Sequence, residues 1–255
     1  MKEKGFADRI KLSSKSHSSR IVLALDIVAQ KRYQLRDKAL SMLNTVSQYI
    51  AAVKINYHLL LPLSLFTDIK KIINFSHDRG LQTIADLKLN DISSTNLIAS
   101  NYLWDVGFDA IIANPFVGYE EGLEPIVKKA HEINRGLILL AYMSHKSARE
   151  GYGLTILSEG LRQEKMYEFF VRRAIEWCVD GVIVGANDLD ILSSIASKVK
   201  GRMLVFSPGV GAQGGDPLKA IMAGADFLIV GRSILDSKDP LSIINRINRV
   251  VGVIK

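Results

Sequence analysis

Gly80-Leu81-Gln82-Thr83-Ile84-Ala85-Asp86-Leu87-Lys88-Leu89-Asn90-Asp91-Ile92-Ser93-Ser94-Thr95 runs from a strand into a helix. Residues 82–87 have the apolar character of a strand, and a helical pattern occupies residues 92–106. Side chains alternate along a strand, so Ile84, Asp86 and Lys88 are expected on one side. A carboxylate and an ammonium then leave the strand end together, with Asp91 three residues later. Two acids and one base at such a junction make a poor core and a good place to move a proton beside a negative charge. The same residues also admit a plainer account. Asp91 would be a helix N-cap and Asp86–Lys88 a solvated surface pair of little energetic weight.

The pattern around this stretch repeats. Short apolar runs occupy residues 21–25, 50–55, 82–87, 110–113, 137–142, 181–184, 203–206 and 227–230. Helical spacing fills residues 36–49, 64–77, 92–106, 120–134, 165–179, 189–200, 217–223 and 240–251. Continuous apolar runs suit parallel strands buried on both faces. Eight strand–helix units in 255 residues predict a single-domain α/β fold, a (β/α)8 TIM barrel. A doubly wound open sheet usually has a Gly-rich turn after its first strand, and none follows Leu23-Ala24-Leu25-Asp26. Residues 1–19 are expected to form an N-terminal extension, with a short helix at 5–12 and a Ser-rich link. Residues 20–255 are expected to be the catalytic barrel. The longest irregular stretch is 143–164, and loops of that length are uncommon without a function.

The net charge of +7 suggests a polyanion partner until it is mapped. Residues 1–20 hold six Lys and Arg against two acids, which leaves the remainder close to balanced. No basic stripe for a nucleic-acid backbone is evident. Lys54 and His58 interrupt the best apolar run and no apolar leader opens the chain, so neither a membrane span nor a signal segment is expected. The single cysteine, Cys178, suits a reducing compartment, and a cytoplasmic location is expected.

In a barrel of this kind the active site lies at the C-terminal strand ends. The polar residues there are Asp26, Lys54, Asn56, Asp86, Lys88, Asn114, Ser144, His145, Ser207 and Arg232. Asp26, Lys54, Asp86 and Lys88 alternate in sign. Ser207-Pro208-Gly209-Val210-Gly211-Ala212-Gln213-Gly214-Gly215-Asp216 and Val230-Gly231-Arg232-Ser233 follow the last two strands. Backbone N–H groups on such Gly-rich turns, with the Arg232 guanidinium, suit a phosphate dianion. Taken alone, the glycines could merely turn corners. The five histidines show no metal-ligand spacing, and Cys178 has no partner in view, so neither is promoted.

Together these residues resemble orotidine 5′-phosphate decarboxylases. The likeness rests on Leu23-Ala24-Leu25-Asp26, Ala52-Val53-Lys54, the Asp86-x-Lys88-x-x-Asp91 element with Thr95, Met143-Ser144-His145, the Gln213 loop and Gly231-Arg232, and it runs from about residue 20 to the end. The resemblance implies a dimer that needs no cofactor or metal and converts orotidine 5′-monophosphate to UMP and CO2. By position, Lys88 would protonate C6 and Asp86 would lie beside the substrate carboxylate. Lys54 and Asp26 would hold ribose hydroxyls, and Ser144 would contact the pyrimidine. Gln213, Gly231 and Arg232 would hold the phosphate under a loop starting at Pro208 and including Gly209, Val210, Gly211, Ala212, Gly214 and Gly215. Asp91 and Thr95 would reach the partner's site. Two alternatives stay open. One is a Mg2+-dependent sugar-phosphate lyase or decarboxylase in which Asp91 helps bind the metal. The other is a non-catalytic nucleotide-binding barrel.

Overall fold

The computed structural model describes residues 4–252; residues 1–3 and 253–255, the outer ends of the two expected segments, lie outside them. Ten strands are described: β1 (Ile21–Ala24), β2 (Ala52–Asn56), β3 (Gln82–Leu89), β4 (Ala110–Ala113), β5 (Gly136–Tyr142), β6 (Thr155–Ser158), β7 (Arg162–Lys165), β8 (Gly181–Val184), β9 (Leu204–Pro208) and β10 (Phe227–Val230). Eight of them close a parallel barrel in the order β1-β10-β9-β8-β5-β4-β3-β2, with β1 paired to β2 as well. The (β/α)8 architecture is therefore as expected.

The longer helices wrap this barrel: α2 (Gln34–Val46), α4 (Lys70–His77), α5 (Ser93–Val106), α6 (Glu124–Glu132), α8 (Met166–Glu176), α9 (Leu189–Val199), α10 (Pro217–Met222) and α12 (Pro240–Gly252). Short turns α3 (Tyr57–Leu60), α7 (Ala148–Gly151) and α11 (Arg232–Leu235) sit in the connections. Alternate strand residues divide the core. Ile84, Ile138, Phe206 and Phe227 fill the barrel, while Leu23, Val53, Leu139 and Val205 face the helices. Burial on both faces is why these strands read as unbroken apolar runs.

The segment at 143–164 is more ordered than expected. It carries α7 and most of an antiparallel hairpin, β6 paired with β7. β7 reads Arg-Gln-Glu-Lys and shows no apolar alternation, which hid it. Tertiary contacts hold it instead: Glu164 is buried and takes Arg172 at 3.0 Å and the Ser158 hydroxyl. The N-terminal helix, α1 (Phe6–Ser16), runs four residues beyond the expected 5–12. Phe6 and Ile10 are fully buried inside the barrel's lower end, and Phe6 stacks on Phe206. A Cβ at Gly136 would collide with the Phe6 ring, so glycine there makes room for the plug.

The lower rim uses one device three times. Gly107, Cys178 and Gly224 adopt positive φ (119°, 53° and 102°), each two residues ahead of an aspartate that precedes a strand. Asp109, Asp180 and Asp226 each donate the backbone N–H to a residue of the neighbouring strand and accept that residue's N–H on Oδ2. The partners are Thr83, Leu137 and Val205, at 2.8–3.0 Å. Asp109 also gathers His77 at 2.8 Å, Arg135 at 3.0 Å and Arg9 of α1 at 3.4 Å.

Candidate active site

The upper rim is where the chain places its charge. Asp26 follows β1, Lys54 and Asn56 end β2, and Asp86 and Lys88 lie on β3. These five line a cavity of about 230 Å³ with Ser144, Pro208, Gly209, Val210, Ala212, Gln213, Gly231 and Arg232. Its floor is apolar. Ile112, Leu140, Ile183 and Ile229 are inward-facing residues near the upper ends of β4, β5, β8 and β10. None was singled out in the sequence, although counting alternate positions along each strand would have found them.

Asp86 is the centre of this array. Its Oδ2 takes the Lys54 ammonium at 2.7 Å and its Oδ1 takes the Lys88 ammonium at 2.7 Å. Burial of Asp86 raises its pKa; the charges of Lys54 and Lys88, with their hydrogen bonds, outweigh that and hold the carboxyl below its ordinary value. Lys54 also lies 3.7 Å from Asp26 Oδ1, a buried oxygen with no hydrogen-bond partner among the described residues. A buried acceptor in that condition at a cavity wall is suited to a hydroxyl donor. Asp86 and Lys88 do share one side, but not through a regular strand. The β3–β4 register jumps from Asp86 opposite Ile112 to Leu89 opposite Ala113, and Lys88 has φ 51°.

The Gly-rich loop forms the opposite wall. Gly209 has φ 99° and Gly211 φ 77°, conformations that side-chain-bearing residues rarely adopt. A Cβ at Gly209 would also collide with Asn187 and come within 3.0 Å of Ser144. Asn187, a residue not singled out in the sequence, donates from Nδ2 to the Gln213 carbonyl at 3.1 Å. No sequence signal marks it, because its contact is made between two loops that only the folded barrel brings together. The loop's N–H groups are less free than expected. Those of Gly211, Gly214 and Gly215 close turns within the loop, and that of Ala212 bonds the Ser233 hydroxyl. Gly211, Gly214 and Gly215 accordingly shape the loop without lining the cavity. Arg232 stands exposed at the rim with no ion pair among the described residues.

Three expected rim residues are not in the cavity. Ser207 is fully buried, between the inward-facing Phe206 and Pro208. Asn114 accepts the Phe116 N–H and lines a separate apolar pocket, and His145 is exposed elsewhere. Asp91 and Thr95 are exposed and outside this chain's cavity. Asp91 is not an N-cap either. Ile92 holds that position without a side-chain cap bond, and among the described residues Asp91 Oδ1 accepts only the adjacent Ile92 N–H. No group of three or more His, Cys, Asp or Glu residues suited to a metal occurs among the described residues, where no helix is long and apolar enough to cross a membrane either.

A closed (β/α)8 barrel with alternating acids and lysines at its mouth, facing a Gly-rich loop and a rim arginine, defines a barrel enzyme built around fixed charge. The model of the orotidine 5′-phosphate decarboxylase / HUMPS family matches residues 19–247, and the chain belongs to that family. It is 34% identical to the orotidine 5′-phosphate decarboxylase of Pyrococcus furiosus over 220 residues, which is 86% of this chain and 92% of the relative. Among solved structures it resembles the orotidine 5′-monophosphate decarboxylase of Methanocaldococcus jannaschii complexed with the inhibitor BMP. The TM-score is 0.76 at 26% identity, covering 91% of this chain and 98% of that one. The fold of Leishmania donovani UMP synthase matches with a TM-score of 0.84 at 20% identity, over 99% of this chain and 57% of that one.

Proposed function

We propose that this chain is a carboxy-lyase that converts orotidine 5′-monophosphate to UMP and CO2 within pyrimidine biosynthesis. The observation that carries the reading is Asp86 held between two lysines, 2.7 Å from each, across the cavity from the Gly-rich loop. In the reaction the C6–carboxylate bond breaks, CO2 leaves, and the electron pair stays on C6. That carbanion is sp2 and has no π system to spread its charge. The Lys88 ammonium is a fixed positive charge where the negative charge develops, and it then gives its proton to C6.

Asp86 sits beside the substrate carboxylate, and the repulsion is relieved as CO2 departs. Binding energy from the remote phosphate offsets that strain. Arg232, Gln213 and Gly231 hold the phosphate, and the loop from Pro208 through Gly215 closes over it. Asp26 and Lys54 take the ribose hydroxyls, which gives the unpartnered Asp26 Oδ1 a donor, and Ser144 meets the pyrimidine. The reaction needs no cofactor or metal, because Lys54 and Lys88 supply the positive charge and already occupy both oxygens of Asp86. α1 seals the end of the barrel away from this chemistry.

The working form is a homodimer in which Asp91 and Thr95 complete the partner's site. Both are exposed here, and Ile92, Ile98, Tyr102 and Phe66 expose apolar surface beside them or on the neighbouring turn. Such apolar exposure marks contact surfaces. The lone cysteine suits the cytoplasm. The test is loss of orotidylate absorbance with a chelator present and no cofactor added. Turnover that dies with chelator would favour the metal-dependent sugar-phosphate chemistry, and no UMP release at all would favour a non-catalytic barrel.

A further inference from the structure

We propose that Tyr57 is a positioning residue for the proton donor: its phenol fixes the strand bulge that presents Lys88. The inference rests on the decarboxylase reading for its kinetic meaning and on geometry for its substance. β3 leaves its ladder with β4 after Asp86 and rejoins it at Leu89, so Leu87 and Lys88 have no residues opposite them on β4. The β2–β3 ladder also ends at Asn56 opposite Asp86. Leu87 therefore has no residue opposite it in either ladder, which leaves its carbonyl open to another donor.

Tyr57, the residue immediately after β2, provides it. The phenol donates to the Leu87 carbonyl at 2.7 Å. That carbonyl and the Lys88 N–H belong to one planar peptide. Fixing the carbonyl fixes the plane from which Lys88 turns to φ 51°, a conformation disfavoured for a residue with a side chain. Local strain of this kind persists only where neighbours enforce it. The far side of the bulge is enforced as well, because the Asn114 N–H donates to the Leu89 carbonyl at 2.9 Å. Tyr57 is itself oriented by its own turn. Asn56 Oδ1 accepts the His58 N–H at 3.0 Å and caps the turn that Tyr57 begins. The product of these ties is the Lys88 ammonium at 2.7 Å from Asp86, pointing into the cavity. Tyr57 does not line the cavity, so it acts on the reaction through the backbone it holds.

Tyr57→Phe removes the donor and keeps the ring. The bulge then relaxes and the ammonium loses its aim. We expect kcat to fall about 10- to 100-fold, as for a displacement near 1 Å at a reacting group. KM and the affinity for UMP stay within about threefold, because the phosphate and ribose contacts are untouched. Exchange of the UMP C6 hydrogen with D2O, which uses the same lysine proton, falls in parallel with kcat. Tyr49→Phe, ahead of β2 and so at the opposite end of the barrel from the cavity, serves as the control and leaves all three readouts in place. A Tyr57→Phe enzyme with wild-type kcat overturns the inference. So does an equal loss of kcat and UMP affinity, which would mark a general structural role. A crystal structure of Tyr57→Phe with the Lys88 backbone unmoved overturns it too. If the wild-type protein releases no UMP, the decarboxylase reading is what fails, and that crystal structure still decides whether Tyr57 holds the bulge.

Discussion

Asp86 is under two opposed pressures. Burial favours its neutral form, and two ammonium groups at 2.7 Å favour its charged form and win. Its folded pKa lies below the unfolded one, so its contribution to stability is present above the ordinary carboxylate range and is lost as pH falls through the depressed value. At neutral pH Asp86 is therefore ionised. Lys88→Ala removes both the proposed proton donor and one of the two cations. Turnover should fall by more than about 10³-fold, while a UMP-like ligand still binds in calorimetry. Retained kcat would remove Lys88 from the mechanism. Arg232→Ala acts elsewhere. It should lower kcat/KM by about 10- to 100-fold, the size of a lost hydrogen bond to a charged group. An unphosphorylated substrate should be spared; an equal loss on that substrate would show that Arg232 does not serve the phosphate.

At the scale of the element, the strands are anchored below and functional above. Asp109, Asp180 and Asp226 make the same two-bond contact with a neighbouring strand, yet their surroundings set them apart. For Asp109, burial pushes the pKa up, but His77, the Thr83 N–H and Arg135 overcome it and the value is lowered. For Asp226, burial prevails over the Val205 N–H, Lys11 and Arg20, and the value is raised. An ionised Asp109 therefore stabilises the fold at neutral pH, and that help fades in acid. Asp226 has the opposite sign, since its stabilising effect is present below the ordinary carboxylate range and is lost as pH rises through its elevated value. Asp109→Asn should cost about 2 kcal/mol at pH 7 in denaturant melts, because Arg9 and Arg135 lose their counter-charge. Asp226→Asn keeps an acceptor for Val205 and should change stability by less than about 0.5 kcal/mol, or raise it. Equal losses in the two variants would refute this division. The hairpin β6–β7 belongs to the same scale. Its order depends on Glu164 meeting Arg172 of the following helix, α8, which no strand pattern announces.

For the whole molecule, the proposed dimer makes a quantitative demand. Lys88→Ala and Asp91→Ala damage different parts of a shared site, so a heterodimer of the two has one site intact. Unfolding and refolding an equal mixture should restore about a quarter of wild-type activity, since half of the dimers are mixed and each has one of two sites. Sedimentation should give a dimer for every variant. No recovery on mixing would place Asp91 and Lys88 in the same protomer's site, or remove Asp91 from it. Much of this molecule was legible in the chain. Eight apolar runs at regular spacing entailed a closed parallel barrel, because strands buried on both faces must be apolar throughout. The barrel then put Asp26, Lys54, Asp86 and Lys88 at one mouth, because they end or follow consecutive strands. What the tertiary structure alone decided were contacts between residues far apart in sequence. They include the bulge that turns Lys88, the Tyr57 phenol that meets it, the Asn187 clamp on the Gln213 loop and the burial of Ser207. Local pattern encodes which face a side chain takes in a regular element. It carries no information where the ladder breaks, since the geometry there is set by whichever distant group satisfies the freed backbone.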